Sequence, residues 1–247
     1  MSNNSINEYL SNPNLTVGEI VARNYNFAKV FSKYGIDFCC KGNRNLQKLI
    51  SSLNIDRSTF VANLLKVEEK NTDERNYDTN SVIDLIDHIV SVHHDYLREN
   101  LPYIESLLEK VKNAHSKNHI FLHEVVQEFK SLKNEITNHL NREEETLFRV
   151  IRYLSDCQKF KEKPRTKGYK SMVALLGDYE REHQFVGSTL ERIRNLTSNF
   201  SLPENACATF ALCYQKLEEL EKNTHRHVHL ENNILFPKAI ALEVSLN

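Results

Sequence analysis

Apolar residues recur at steps of three and four in four long stretches of this chain. In the first, Ile86, Val90, Leu97 and Leu101 share the pattern with His94. In the second, Val125, Phe129, Leu132 and Ile136 lead to His139 and Glu143. The third runs through Leu176, Tyr179, His183, Val186, Leu190 and Ile193. The fourth runs through Cys213, Leu217, Leu220, Thr224, His227, Glu231 and Ile234. These steps place every named residue on one face of an α-helix. Polar stretches, some with Gly or Pro, separate the helices near 113–119, 155–168 and 197–205. The pattern predicts a four-helix bundle over residues 81–247.

A smaller helical part precedes it. Thr16-Val17-Gly18-Glu19 has the order of a capping box, in which Thr and Glu satisfy the first free amides of a helix. Apolar residues continue to Phe31, and Gly35 can close that helix in a left-handed conformation. Asp37-Phe38-Cys39-Cys40-Lys41-Gly42 reads as a turn, followed by short helices near 45–53 and 58–67. Glu68 to Asn80 carries almost no apolar side chain and reads as a linker. The expected organisation is a small helical domain at 1–67, a linker at 68–80 and the bundle at 81–247.

Composition narrows the class. Only six Gly and five Pro in 247 residues favour long helices over a turn-rich β fold. A formal charge of −1 gives no electrostatic reason to expect nucleic acid or an anionic membrane as partner. No run approaches the roughly 18 apolar residues of a membrane span. The first fifteen residues lack the charged and apolar regions of a secretory signal. Five scattered cysteines do not form a disulfide framework. A reduced, cytoplasmic protein is expected.

The polar residues inside the apolar stripes change the picture most. His139 and Glu143 lead to Leu147-Phe148, and His227 and Glu231 lead to Leu235-Phe236. Both read H-x3-E-x3-L-F. A stripe histidine precedes each copy: His94 lies 45 residues before His139, and His183 lies 44 before His227. His and Glu four apart on a helix point the same way, about 5–6 Å apart. One such pair is expected by chance in a chain with this many histidines. Two copies with the same tail and the same upstream histidine are a different matter. Two uncompensated glutamates in a bundle core would cost several kcal/mol each. Four imidazoles and two carboxylates on four core faces suit a pair of iron or manganese ions. If each ion takes two histidines and both carboxylates bridge, an oxide or hydroxide bridge makes five bonds and leaves one position open. The mixed N/O set favours iron over zinc.

Other candidates have simpler readings. His94 fits the first stripe better than His93. His115, His119 and His123 are spaced by four and could form a surface metal site, or be solvated residues at a helix start. His225 and His229 are expected to face solvent, and His88 to be peripheral. A solvated face is expected for Glu144 and Glu145. Asp95 and Glu182, each beside a candidate ligand, could support the ligands from outside. Cys39 and Cys40 are a candidate redox or soft-metal contact, with Lys41 favouring the thiolate. The competing reading is two small buried residues. Cys213 is expected in the core.

Several of these segments also resemble a known family. Tyr34-Gly35-Ile36-Asp37-Phe38-Cys39-Cys40-Lys41-Gly42 looks like the N-terminal module of the RIC (repair of iron centres) di-iron proteins. His227 to Pro237 (HVHLENNILFP) is similar to that family's last ligand helix. Ile86-Asp87-His88-Ile89 with His93-His94-Asp95 and Leu101-Pro102 resembles its first. His139 with Glu143-Glu144 resembles the second and Glu182-His183 the third. Arg149 departs from the family, which often has Pro after Leu-Phe. The resemblance implies an all-α fold, with a haemerythrin-like four-helix bundle behind a small N-terminal domain. It implies a non-haem, oxo-bridged di-iron centre on His94, His139, Glu143, His183, His227 and Glu231. It also implies a role for Cys39 and Cys40, and repair of iron–sulfur clusters damaged by nitric oxide or oxidants. Damaged iron–sulfur proteins would then be the clients. Small diatomic ligands and a homodimer are compatible with this reading. The alternatives are a di-iron protein that binds or reduces nitric oxide, oxygen or peroxide, and a haemerythrin-like sensor.

Overall fold

The computed structural model describes residues 12–68, 77, 80–164 and 171–246. Most of the expected linker at 68–80, and the end of the expected loop at 155–168, lie outside the described residues. Among the described residues the fold is all-α, with a small N-terminal helical part and a helical bundle. An isolated bridge joins Thr16 and Asn45. No helix among these residues is long and apolar enough to cross a membrane.

The chain forms two compact units. One comprises Met1–Ser81 with Val228–Lys238, and the other Val82–His227 with Ala239–Asn247. Chain order alone would not pair a late segment with the N-terminal one.

The first unit begins with α1 (Val17–Arg23), a 3-10 turn (Tyr25–Phe27) and α2 (Ala28–Lys33). The expected capping box is present. The Thr16 amide donates to Glu19 Oε2 at 2.8 Å, and the Glu19 amide to Thr16 Oγ1 at 3.3 Å. The single helix expected to reach Phe31 is instead broken at Asn24. That residue is extended (φ −150°, ψ 103°), and its side chain accepts from the Asn26 amide. An Asx turn thus competes with the helix. Gly35 adopts φ +65° after α2, as the stop signal requires. Two further helices, α3 (Leu46–Ser52) and α4 (Arg57–Glu68), follow among the described residues. Phe31, Phe38, Leu46, Phe60 and Leu64 pack together with Val228.

The second unit holds the long helices. These are α5 (Val82–His88) with α6 (Asp95–His115), α7 (Leu122–Arg142) with α8 (Phe148–Phe160), α9 (Met172–Leu196) and α10 (Ala208–Leu230), whose last three residues belong to the first unit. After α10 the chain continues as helix through Glu231–Leu235 into α11 (Phe236–Leu246). α7 packs against both α6 and α9. The core is built from the predicted stripes, including Leu101, Phe129, Leu132, Leu190 and Leu217, and Cys213 lies within it as expected. α9 is N-capped by Ser171, whose hydroxyl accepts from the Ala174 amide.

Candidate metal centre

Among the described residues the long helices change pitch at three places. The Asp95 amide bonds Val90 O, the Phe148 amide bonds Glu143 O, and the Phe236 amide bonds Glu231 O. Each bond spans five residues, so Ile89–His94, Glu143–Leu147 and Glu231–Leu235 are single π-helical turns. Such turns insert one residue and rotate the downstream helix by about 100°. Each contains a predicted ligand: His94, Glu143 and Glu231. The turn also lets sequence neighbours face inward together. Leu147-Phe148 and Leu235-Phe236 are both buried pairs.

All six predicted ligands are buried. His94 Nε2 lies 3.1 Å from His227 Nε2 and 3.4 Å from Glu143 Oε2. His139 Nε2 lies 3.0 Å from His183 Nε2 and 3.3 Å from Glu143 Oε1. Glu143 therefore offers one oxygen to each pair of imidazoles. Glu231 stands one helical turn after His227. The ligand atoms of His94, Glu143, His227 and Glu231 lie within 4.8 Å of one another, and so do those of His139, Glu143, His183 and Glu231. Two four-residue groups thus share the same two carboxylates.

Two outer carboxylates define the imidazoles. Glu144 Oε1 lies 2.6 Å from His94 Nδ1 and 2.8 Å from Arg98. Glu182 Oε2 lies 2.8 Å from His139 Nδ1, and its other oxygen 2.5 Å from Arg142. Burial opposes the Glu182 charge, but the bonds from His139 and Arg142 outweigh it and hold the carboxyl below its usual range. With a carboxylate oxygen as acceptor, Nδ1 carries the ring proton, so each ring turns its Nε2 lone pair toward the centre. Inward lone pairs, nitrogen and oxygen donors and burial together fit an iron centre.

Several expectations change here. Glu182 bonds His139, a candidate ligand, whereas Asp95 is mostly exposed, with Arg98 at 3.9 Å. Glu144 is not on a solvated face, because the π-turn carries it inward beside Glu143. Glu145 is exposed. His93 is buried with His94 for the same reason. It is anchored to Asn223 at 3.2 Å and stacked on His227 with rings 11° apart. Burial first, then His227, pulls His93 down to about 3, which keeps it neutral. His229 does not face solvent either. It is buried against Tyr25 and Phe38. His225 is half-buried.

The cysteine turn and the segment carrying Glu231 meet within the first unit. Asn232 Nδ2 donates to Cys39 O at 3.1 Å, and Asn233 Nδ2 to Phe38 O at 3.3 Å. A Cβ at Gly18 or Gly42 would clash with Asn233 Oδ1, well inside van der Waals contact. Both glycines are therefore needed for this close approach. Asp37 Oδ1 accepts from the amides of Cys39 and Cys40, at 3.1 and 2.9 Å. The two sulfurs lie 3.7 Å apart. The hydrogen bond to Cys40, followed by burial, pushes the Cys39 thiol up, so Lys41 does not make Cys39 a ready thiolate. The ligand atoms of Asp37, Cys39 and Cys40 lie within 4.8 Å of one another.

Comparison with known proteins agrees with this geometry. Residues 85–239 match the family described as Hemerythrin HHE cation binding domain, and residues 13–68 match ScdA_N, Domain of Unknown function (DUF542). The chain is 31% identical over 222 residues to the iron-sulfur cluster repair protein ScdA of Staphylococcus haemolyticus (strain JCSC1435), spanning 90% of this chain and 96% of that one. The chain belongs to the RIC family. Two more RIC relatives are the iron-sulfur cluster repair proteins YtfE of Yersinia pseudotuberculosis serotype IB (strain PB1/+) and of Yersinia pestis. They are 31% and 30% identical over 212 residues, in each case 86% of this chain and 90% of the relative. The haemerythrin match contains the six buried ligand candidates, and the N-terminal match contains Cys39 and Cys40.

Proposed function

We propose that this protein is a di-iron protein that repairs iron–sulfur clusters damaged by nitrosative or oxidative stress, by supplying iron or restoring the cluster. The observation that carries the reading is the pair of ligand groups sharing Glu143 and Glu231, in a chain whose relatives are named for cluster repair. Two irons would be held by His94 and His227 on one side and by His139 and His183 on the other. Glu143 and Glu231 would span both, and an oxo bridge belongs to the same proposal. Bound iron supplies redox chemistry, or the metal for a damaged cluster.

The chain's own residues perform the positioning. Glu144 and Glu182 keep the protons of His94 and His139 on Nδ1, away from the centre. Arg98 and Arg142, both partly exposed, pair with those carboxylates and orient them. Phe148, buried and stacked on His94 with ring centroids 5.7 Å apart, limits water there. Iron–sulfur proteins are the proposed clients, and the cytoplasm, where cysteines stay reduced, is the proposed location. Cys39 and Cys40, with Asp37, form a proposed redox or metal contact for the client cluster.

The test adds iron-loaded protein to an enzyme whose cluster has been damaged by nitric oxide. Recovery of the cluster spectrum and of activity is expected. Changing both Cys39 and Cys40 to Ser should reduce recovery while iron content stays unchanged. Absence of recovery, with steady consumption of nitric oxide from an electron donor, would replace repair by a reductase function.

A further inference from the structure

The structure places a second cluster of metal-ligating side chains at the other end of α6. His115, the last residue of α6, has Nε2 3.2 Å from Cys207 Sγ. Cys207 directly precedes α10, and its carbonyl accepts the first bond of that helix, from the Ala211 amide at 3.0 Å. Its thiol is exposed. The bond from His115, then the amides of Phe210 and Thr209, pull the thiol below its ordinary range. His119 lies one turn past His115, its amide bonding His115 O at 3.0 Å. The His115 and His119 rings both pack on Phe210, at 5.3 and 5.9 Å. Phe210 is three residues after Cys207, so it shares a helical face with the thiol.

We propose that Cys207 and His115, with His119 as a third ligand, bind a zinc-class ion. The chemistry fits a thiolate and imidazoles, which select soft or borderline cations over the oxygen-seeking ones. The distance fits as well. Ordinary zinc–sulfur and zinc–nitrogen bonds at a tetrahedral angle put the two donor atoms roughly 3.5 Å apart, close to the spacing of Cys207 and His115. The His115 and His119 ring centres are 6.4 Å apart, so His119 must rotate to close the site. Water fills the remaining position at this exposed surface. Binding expels the thiol proton and leaves a thiolate–metal bond. The ion would tie the end of α6 to the start of α10, about 30 Å along α6 from His94. This site is independent of the iron centre, whose ligands include no sulfur.

Cobalt(II) titration of the iron-loaded full chain tests the proposal, because a thiolate–cobalt bond gives a near-ultraviolet charge-transfer band. The titration is run in a C39S/C40S background, which removes the paired thiols as a second source of such a band. One equivalent should produce the band, and zinc should displace it. Cys207→Ser should abolish it with an unchanged far-ultraviolet circular dichroism spectrum, since serine is also a good helix N-cap. His115→Ala should weaken binding at least tenfold, and His119→Ala by a smaller factor. No band at millimolar cobalt would overturn the proposal. So would a band that survives both Cys207→Ser and His115→Ala.

Discussion

Glu144 gives the sharpest test of how the imidazoles are held. Its Oε1 sits 2.6 Å from His94 Nδ1, and His94 is fully buried. Glu144→Ala leaves that donor without its acceptor, at a cost of about 1–3 kcal/mol. It also releases the ring to turn and to change tautomer. Loss of an outer carboxylate of this kind typically lowers metal affinity 10–100-fold, or about 1.4–2.8 kcal/mol. Arg98 should matter less. It is 42% exposed, and water screens its pair with Glu144, so Arg98→Ala should cost less than about 1 kcal/mol. Glu145 is the natural control, adjacent in sequence but exposed. The assay is iron release to a competing chelator, measured for the parent, Glu144→Ala, Glu144→Gln and Glu145→Ala. Glu144→Ala should release iron at the lowest chelator concentration. Glu144→Gln should fall between, because its amide oxygen can still accept from Nδ1. Glu145→Ala should match the parent. Equal release from Glu144→Ala and Glu145→Ala would refute the orienting role.

Packing and capping lead to other outcomes. Gly18→Ala or Gly42→Ala forces Asn233 aside and should destabilise the first unit by about 1–3 kcal/mol in denaturant unfolding. Gly177→Ala, whose nearest neighbour would be the Arg181 side chain at 3.8 Å, should instead stabilise by about 0.5–1 kcal/mol through helix propensity; the same sign for all three would contradict the packing. At Asp56 the hydroxyls and amides of Thr59 and Ser58 lower the carboxyl from 3.8 to about 2, Thr59 first. Its contribution is therefore complete above pH 3.8 and is lost as the pH falls through about 2. Acid unfolding of Asp56→Ala should lose pH dependence in that window, and an unchanged acid profile would show that this cap adds nothing.

The candidate ligands are legible in the sequence because burial and metal binding leave the same mark, polar residues locked into an apolar 3.6-residue stripe. The spacing of His139 with Glu143 and of His227 with Glu231 survives in the structure, since each pair lies at or before its π-turn. A uniform helical period loses register at each π-turn, and it puts Glu144 and His93 on the outside. A clue is nonetheless present in the repeated Leu-Phe. Leu147 and Leu235 end their π-turns and Phe148 and Phe236 follow, so each pair marks the point where the stripe changes register. His229 departs from expectation for another reason. Its partners, Tyr25 and Phe38, are some two hundred residues earlier, and no local pattern reports such a contact. The break at Asn24 shows a short-range competitor overriding an apolar run that looks continuous.

The central claim is that one chain holds a pair of irons on six residues. Iron analysis combined with Mössbauer spectroscopy of protein purified without oxygen and then oxidised tests it most directly. About two irons per chain, as a spin-coupled diferric pair with nitrogen and oxygen ligands, are expected. His139→Ala and His227→Ala should each lose most of that iron. A single uncoupled iron per chain, or one tightly held zinc with no iron, would contradict the claim.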